Sequence, residues 1–313
     1  MPWEAVLEAP ILHHYSSSPY AEVVRTAFGV KGLAWRSVEQ SIIMPRPHLT
    51  PLTGGYRRIP VMQIGADIYC DTQIILRALD RLAPQTPLCQ PGQEAKAWMA
   101  RGYSEKVWFQ ISVGVIFAEI GDGLPEAFKV DRKQLSGREF DTAGMKAAAP
   151  MLRDQWRAIA GFADAQLAHS APFLDGDRAG LTDLAVWLNV WFLRNGAPHV
   201  FAALTADMPG LTAWVARMVA IGHGASQPMT PEAALELAGE TKPAAPAPSP
   251  GGEAQGLAPG QRVIISADDY GREPIEGLIS AIDRFSITLL RQTAEAGAIA
   301  THFPRAGFLV RPA

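Results

Sequence analysis

Three short stretches carry residue types that could do chemistry together, although they lie far apart in the chain. The first is Tyr15-Ser16-Ser17-Ser18-Pro19-Tyr20, where an apolar run stops and a helix pattern begins. Ser18 is an N-cap residue by type, and Pro19 sits at the first helical position, where its missing N–H costs nothing. A helix start gathers unpaired N–H donors and about half a positive charge, so a hydroxyl fixed there suits an anion, a carboxylate or a thiolate. A plain helix cap has the same signature, and Ser17 and Tyr15 are the alternative hydroxyls. The second stretch is Arg58-Ile59-Pro60-Val61-Met62, a strand start whose proline is a place for a cis peptide bond. The third is Asp71-Thr72, where a carboxylate caps the next helix and could also pair with an ammonium. Cys70 and Cys89 have neither disulfide nor metal spacing and read as reduced thiols, Cys70 as a buried, inert one. His13 and His14 read as strand residues, not metal ligands, and no metal site is expected.

The elements around these stretches follow from periodicity. Ile11 to Tyr15 predicts a buried strand. Tyr20, Val24, Ala27 and Phe28 recur at helical spacing up to stop signals at Gly29 and Gly32. A second strand is expected over Leu33 to Val38, then a proline-rich loop over residues 41 to 58 with at most a short helix. Strands at Arg58 to Met62 and Ile68 to Cys70 form a hairpin through Gly65-Ala66-Asp67. Asp71 then caps a helix whose apolar face is Ile74, Ile75, Leu79 and Leu82. The order is β-α-β-(α)-β-β-α, an α/β domain over residues 1–84.

From Gln93 strand signals vanish. Helices are expected at Glu94 to Ala118, Met151 to His169, Leu181 to Arg194, Leu211 to Ile221 and Pro231 to Leu237, with short helices or a polar connection over Gly121 to Gly144. Residues 92–238 therefore read as an all-α domain. Residues 239–256, rich in Pro, Ala and Gly, read as a semi-extended linker. Beyond it, residues 257–313 hold five short alternating segments, Arg262 to Ser266, Ile275 to Ile282, Ser286 to Gln292, Ile299 to Phe303 and Gly307 to Arg311. Their size suggests a small SH3-like or OB-like β-barrel, packed on the body or on a second subunit. Within it, the Asp268-Asp269 turn reads as solvated and His302 as internally satisfied.

Composition bounds the function. With 48% hydrophobic and 19% charged residues and a net charge of −3, the chain is a globular protein without the basic stripe of a nucleic-acid binder. The longest apolar run, Leu184 to Leu193, is too short to span a bilayer and is interrupted by Asn189. Glu4 and Glu8 stand where a secretory leader would carry positive charge. No membrane partner and a cytoplasmic location are expected.

In this order the three stretches resemble the cytosolic glutathione S-transferase superfamily, which joins a thioredoxin-like domain to an all-α domain. The resemblance covers about residues 9 to 235. Ser18-Pro19-Tyr20 with Arg25 is similar to the catalytic turn of the Ser/Cys-type classes. Ile59-Pro60 is similar to the cis-proline strand that holds the cysteinyl backbone of glutathione, and Asp71-Thr72 falls where the family usually has Glu-Ser for the γ-glutamyl end. Pro172-Phe173-Leu174-Asp175-Gly176-Asp177 with Gly180-Leu181-Thr182-Asp183 resembles the family's N-capping box, with glycine in place of serine or threonine. The terminal unit has no counterpart in the usual architecture. The resemblance implies glutathione as co-substrate, bound by Ser18, Ile59, Pro60, Asp71 and Thr72 with Ser18 as catalytic residue, a small-molecule apolar electrophile and a homodimer. Trp98, Tyr103, Trp108 and Phe109 on the first long helix could line the second-substrate pocket. Two other functions fit the same residues: a non-catalytic scaffold whose β unit contacts a partner, and a glutathione-dependent thiol-disulfide reductase. Serine in place of cysteine at position 18 counts against the reductase.

Overall fold

The strand β1 (Ile11–His14) is buried along its whole length and lies at the centre of the N-terminal sheet. It pairs in parallel with β2 (Ala34–Glu39) and antiparallel with β3 (Val61–Ile64), and β3 forms the expected hairpin with β4 (Asp67–Cys70). Helix α1 (Pro19–Lys31) connects β1 to β2 and ends at Gly32, whose φ of 62° is the left-handed conformation that glycine adopts without steric cost. A short α2 (Thr50–Thr53) interrupts the proline-rich loop, and α3 (Thr72–Leu82) follows β4. The computed structural model describes residues 9–169, 171–247, 249–251 and 253–313. Glu4 and Glu8 and the linker positions Pro248 and Gly252 lie outside them.

The helical domain comprises α4 (Glu94–Tyr103), α5 (Phe109–Ile120), α6 (Glu126–Ser136), α7 (Thr142–His169), α8 (Leu181–Gly196), α9 (Pro198–Leu204) and α10 (Pro209–Ile221). The single helix expected over Glu94 to Ala118 is interrupted by a π-helical turn, Ser104–Trp108. No membrane-length apolar helix occurs among the described residues. Strand β5 (Ala225–Pro228) was not signalled by the sequence, because its four residues are exposed and show no alternation. Its place is set by its neighbour: Ala34 pairs with Ala225 and Ser37 with Pro228, extending the sheet beyond β2 before α11 (Pro231–Glu240).

The terminal segments form β6 (Arg262–Ala267), β7 (Ile275–Ile282), β8 (Ser286–Thr293), β9 (Gly297–Pro304) and β10 (Phe308–Pro312), close to the expected bounds. They do not close into a barrel. Their order is β10-β6-β7-β8-β9, and β9 pairs in parallel with β4, matching Asp67 with Ala300 and Tyr69 with His302. A continuous ten-stranded sheet results, running from β10 to β5. One hydrophobic core joins Leu52, Tyr56, Val61, Ile68 and Cys70 of the first domain to Ile265, Ile279, Leu289 and Phe303 of the terminal unit. The unit is thus built onto the body. The linker is fastened too: Ala244 N–H donates to Asp67 Oδ2 at 2.8 Å, and Ser249 Oγ accepts from Ile282 N–H at 3.0 Å.

The start of α8 explains the glycine at its cap. Asp183 accepts from the backbone N–H groups of Gly180, Leu174 and Asp175 and from Trp214 Nε1 at 2.7 Å, which is half of a capping box. The other half comes from Asp175, whose Oδ2 accepts from Thr182 N–H at 2.8 Å and so does the work of a cap side chain. A Cβ on Gly180 would lie 2.4 Å from that oxygen and 2.7 Å from the Leu88 carbonyl. Gly180→Ser, which restores the commoner family residue, therefore overpacks the turn, and urea denaturation should show a loss of about 1–3 kcal/mol. A gain in stability would show that the turn can yield.

Candidate active site

The turn leading into α1 is held by one buried arginine. Arg25 Nη1 donates to the Tyr15 carbonyl at 3.3 Å and to His14 Nδ1, Nη2 donates to the Ser16 carbonyl at 2.9 Å and to Glu22 Oε2, and Nε also donates to Glu22 Oε2. Because His14 Nδ1 faces this donor, it accepts, and His14 Nε2 donates to Ser37 Oγ at 2.8 Å. Burial and the Arg25 charge lower the His14 pKa to about 4, so the imidazole is neutral at physiological pH. Burial alone would raise the Glu22 pKa, but His223 and Arg25 outweigh it and hold the carboxyl below its ordinary value. Trp187 of α8 also donates to Glu22, so the helical domain is tied into the network that shapes the turn. His13 bonds Gln63 and Gln40 instead, and burial lowers its pKa to about 4. Among the described residues no group of histidine, cysteine and carboxylate side chains could hold a metal.

On this frame Ser18 is the N-cap of α1 and only 1% exposed. Its Oγ accepts from Ala21 N–H at 3.1 Å, and its own O–H proton finds no partner among the described residues. Ser16 and Ser17 are exposed. The Ile59–Pro60 bond is cis. Asp71 caps α3 by accepting from Gln73 N–H at 2.8 Å and has φ 94°, the one positive value at a described non-glycine residue. Thr72 is buried beside it, and its Oγ1 accepts from Arg101.

Ser18, Ile59, Pro60, Asp71 and Thr72 all line one cavity of about 2030 Å³ between the two domains. Trp98 and Phe109 line it too. Tyr103 and Trp108 do not: Tyr103 is 51% exposed, and Trp108 is a core residue whose ring centroid lies 5.5 Å from that of Trp156. Tyr103 lies before the π turn, and at about 3.6 residues per turn it stands about 140° around the helix from Trp98, whereas Glu105 falls close to the Trp98 face. At the π turn Ser104 Oγ donates to the Ala185 carbonyl and accepts from Asn189 Nδ2, the helix widens there, and Glu105 and Lys106 reach the cavity. An aromatic wall completes the space: Tyr20 meets Phe109 edge-on at 4.8 Å, and Phe109 stacks on Phe192 at 5.6 Å.

The terminal unit contributes as well. His302 is satisfied, stacked on Tyr69 and bonded to Asp67 and Thr288, and it lies away from the cavity. Asp269 is more than a solvated turn residue, since its carboxylate pairs with Arg58 and with Lys106 at the cavity wall. The roles of Arg58 and Tyr270 went unnoticed in the sequence because the two meet across 212 positions, and that of Arg101 because Thr72 lies 29 positions away; Arg101 and Glu105 are an i,i+4 pair whose place at the cavity only the fold sets.

Two outcomes follow. Asp71 holds a conformation that costs a non-glycine residue about 1–3 kcal/mol, whereas glycine costs only a few tenths as a cap. Asp71→Gly should therefore leave thermal stability unchanged or raise it by about 1 kcal/mol; a loss above that would mean the conformation is unstrained. Burial raises the Glu105 pKa to about 7, with Arg101 only partly opposing. An unfolded glutamate releases its proton near 4.5, so between that pH and 7 the folded state binds more protons and stability falls as pH rises, by at most about 3 kcal/mol. Glu105→Gln should flatten this part of the stability-pH curve, and an unchanged slope would assign it to other groups.

Comparison with known proteins places the fold. Residues 12–87 match the glutathione S-transferase N-terminal domain and residues 121–217 its C-terminal domain. The crystal structure of a GST-like protein from Pseudomonas syringae superposes with a TM-score of 0.81 at 33% identity, covering 98% of this chain and 100% of that one. A Tau class glutathione S-transferase from mango (Mangifera indica) shares the fold at a TM-score of 0.52 and 20% identity over 68% of this chain and 89% of that one. Glutathione S-transferase U4 of Arabidopsis thaliana is 26% identical over 132 residues, 40% of this chain and 59% of that relative's length. The chain belongs to the glutathione S-transferase superfamily and carries an additional C-terminal β-strand unit beyond its two characteristic domains.

Proposed function

We propose that this protein is a glutathione-dependent transferase of the serine type, in which Ser18 stabilises the glutathione thiolate for attack on an electrophile. The observation that carries this reading is the unspent O–H donor of Ser18, a buried hydroxyl on the cavity wall whose oxygen is already fixed by Ala21 N–H. Fixing the oxygen leaves the proton to point at a ligand. A thiol near pKa 8.5 needs about two units of depression to be largely ionised at neutral pH, worth roughly 2.7 kcal/mol. A hydrogen bond to a charged group supplies about 1.5–3 kcal/mol and the helix start about 0.3–1 more. Ser18 is a donor in this scheme, not a nucleophile.

Ile59 beside the cis proline would pair with the cysteinyl backbone of glutathione. Asp71 would take the γ-glutamyl ammonium and Thr72 its carboxylate, with Arg101 adding a cation next to Thr72. Trp98, Phe109 and Phe192 present flat apolar surface to the second substrate, which favours a planar electrophile. Conjugation, isomerisation and dehalogenation all use the same activated thiolate. A homodimer in the cytoplasm completes the proposal.

A non-catalytic binding protein is the second reading. The observation in its favour is the Asp268-Asp269 turn, which crosses to Arg58 and Lys106 on the cavity wall.

Calorimetric titration with glutathione, followed by a pH–rate profile for a generic aryl electrophile, tests the proposal. Ser18→Ala should lower kcat/KM by about ten- to a hundredfold and move the thiol pKa of the binary complex up by about one to two units. Binding without turnover, or turnover indifferent to Ser18→Ala, would leave the non-catalytic reading in place.

A further inference from the structure

The cavity is lined by nine cationic and four acidic side chains in a chain whose net charge is −3. Most of the cations are engaged by carbonyls or carboxylates of their own neighbourhood, as Arg57 is by Asp131 and Glu273 and Arg46 by the Ser41, Ile42 and Arg57 carbonyls. Arg58 and Lys106 differ. They come from different domains, one just before the cis proline and one on the π turn, and a single carboxylate bridges them. Asp269 gives Oδ1 to Arg58 and Oδ2 to Lys106, and it belongs to the added terminal unit.

The segment that delivers it, Asp268 to Arg272 between β6 and β7, is a narrow strap. Arg58 also donates to the Tyr270 carbonyl, and its guanidinium lies 3.9 Å from the centroid of the Tyr270 ring. Beyond these contacts the strap is tied to the helical domain by Gly271 N–H donating to the Leu135 carbonyl at 2.7 Å. The bridge is not sealed in a core: Asp269 is 30% and Lys106 56% exposed at their side chains, so water and solutes reach them. Arg58, at 12%, is nearly enclosed, and its Nε has no partner among the described residues.

Building on the reading of this cavity as a glutathione site, we propose that Arg58 and Lys106 form a seat for a ligand carboxylate, that Asp269 fills the seat as an internal stand-in, and that a ligand carboxylate takes its place by displacing the strap. The exchange gives both cations a new counter-ion as Asp269 leaves, while the weaker contact of Lys106 with Asp268 Oδ1 at 3.6 Å is given up with the strap. A neutral ligand has nothing to exchange and leaves the strap closed. The seat thereby selects anionic ligands. The carboxylate comes either from glutathione itself or from the electrophile, and the two sources are separable by experiment.

Benzoate, with benzamide as its neutral counterpart, serves as probe, titrated by calorimetry against native protein and Asp269→Asn with and without saturating glutathione. Asp269→Asn should bind benzoate at least tenfold more tightly with benzamide unchanged, and adding Lys106→Met should abolish the gain. A gain that persists with glutathione bound assigns the seat to the second substrate. A gain that vanishes then assigns it to glutathione, and failure of glutathione to bind at all would remove the glutathione reading while leaving the benzoate comparison intact. Hydrogen exchange on native protein gives an independent measure. Saturating benzoate should speed exchange of the Gly271 amide, and benzamide should not. Unchanged or weakened benzoate affinity in folded Asp269→Asn, or slower exchange at Gly271 with benzoate, would overturn the proposal and make the bridge a structural lock.

Discussion

The parallel pairing of Asp67–Tyr69 with Ala300–His302 is the contact on which the arrangement of this molecule depends. In the thioredoxin-like sheet β4 would otherwise be an exposed edge, with a row of unpaired backbone donors and acceptors open to any other chain. Here β9 covers it. His302 fastens the junction from three sides, stacking on Tyr69 at 4.4 Å and bonding both Asp67 and Thr288, while the linker's Ala244 N–H takes the other Asp67 oxygen. Once β9 is fixed, the meander from β6 to β9 can run in only one direction along the sheet. The β6–β7 connection then falls over the interdomain cavity. A backbone ladder far from the chemistry thus decides which side chains line the cavity.

The same pairing gives the terminal unit its core. Five short strands bury little on their own, and a chain of under sixty residues is marginal as an independent domain. Sharing Ile68, Val61 and Tyr56 with Phe303, Ile279 and Leu289 turns two half-cores into one. Full burial of each such side chain is worth about 1.5–3 kcal/mol. This is a physical reason for the sheet to stay open: the face that a small barrel would close upon itself is already closed by the first domain.

Local signals in the sequence sufficed for the elements and failed for the contacts between them. Ser18-Pro19, Ile59-Pro60 and Asp71-Thr72 announce a helix cap, a strand start and a second cap within a few residues each, and all three line one cavity. The five terminal strands were legible from alternation for the same reason. The pairing of β9 with β4 was not, since nothing in a short alternating segment names its partner or distinguishes closing a barrel from extending a sheet. Strand β5 left no signal because its stability comes from β2. The π turn left no signal in the sequence, and the aromatic character of Trp108 and Tyr103, not their spacing, suggested the pocket, since Tyr103 stands about 140° around the helix from Trp98. Arg58, Lys106 and Asp269 are ordinary surface charges in sequence and a bridged cluster in space.

The departures from local consistency gather around the cavity, and they share one support. Asp71 sits at a positive φ that aspartate does not favour, Ser18 keeps a buried hydroxyl proton without a partner among the described residues, and Glu105 is a carboxyl whose charged form burial opposes. Each carries a cost to stability beside its structural part, since Ser18 and Asp71 also cap α1 and α3 and Glu105 pairs with Arg101. They persist because the surrounding frame is over-determined: Arg25 fixes two carbonyls of the Ser18 turn while its partner Glu22 is held by His223 and Trp187 from the helical domain. Replacing Glu105 would leave that frame intact, whereas loosening Arg25 would release two carbonyls of the Ser18 turn and with them the start of α1.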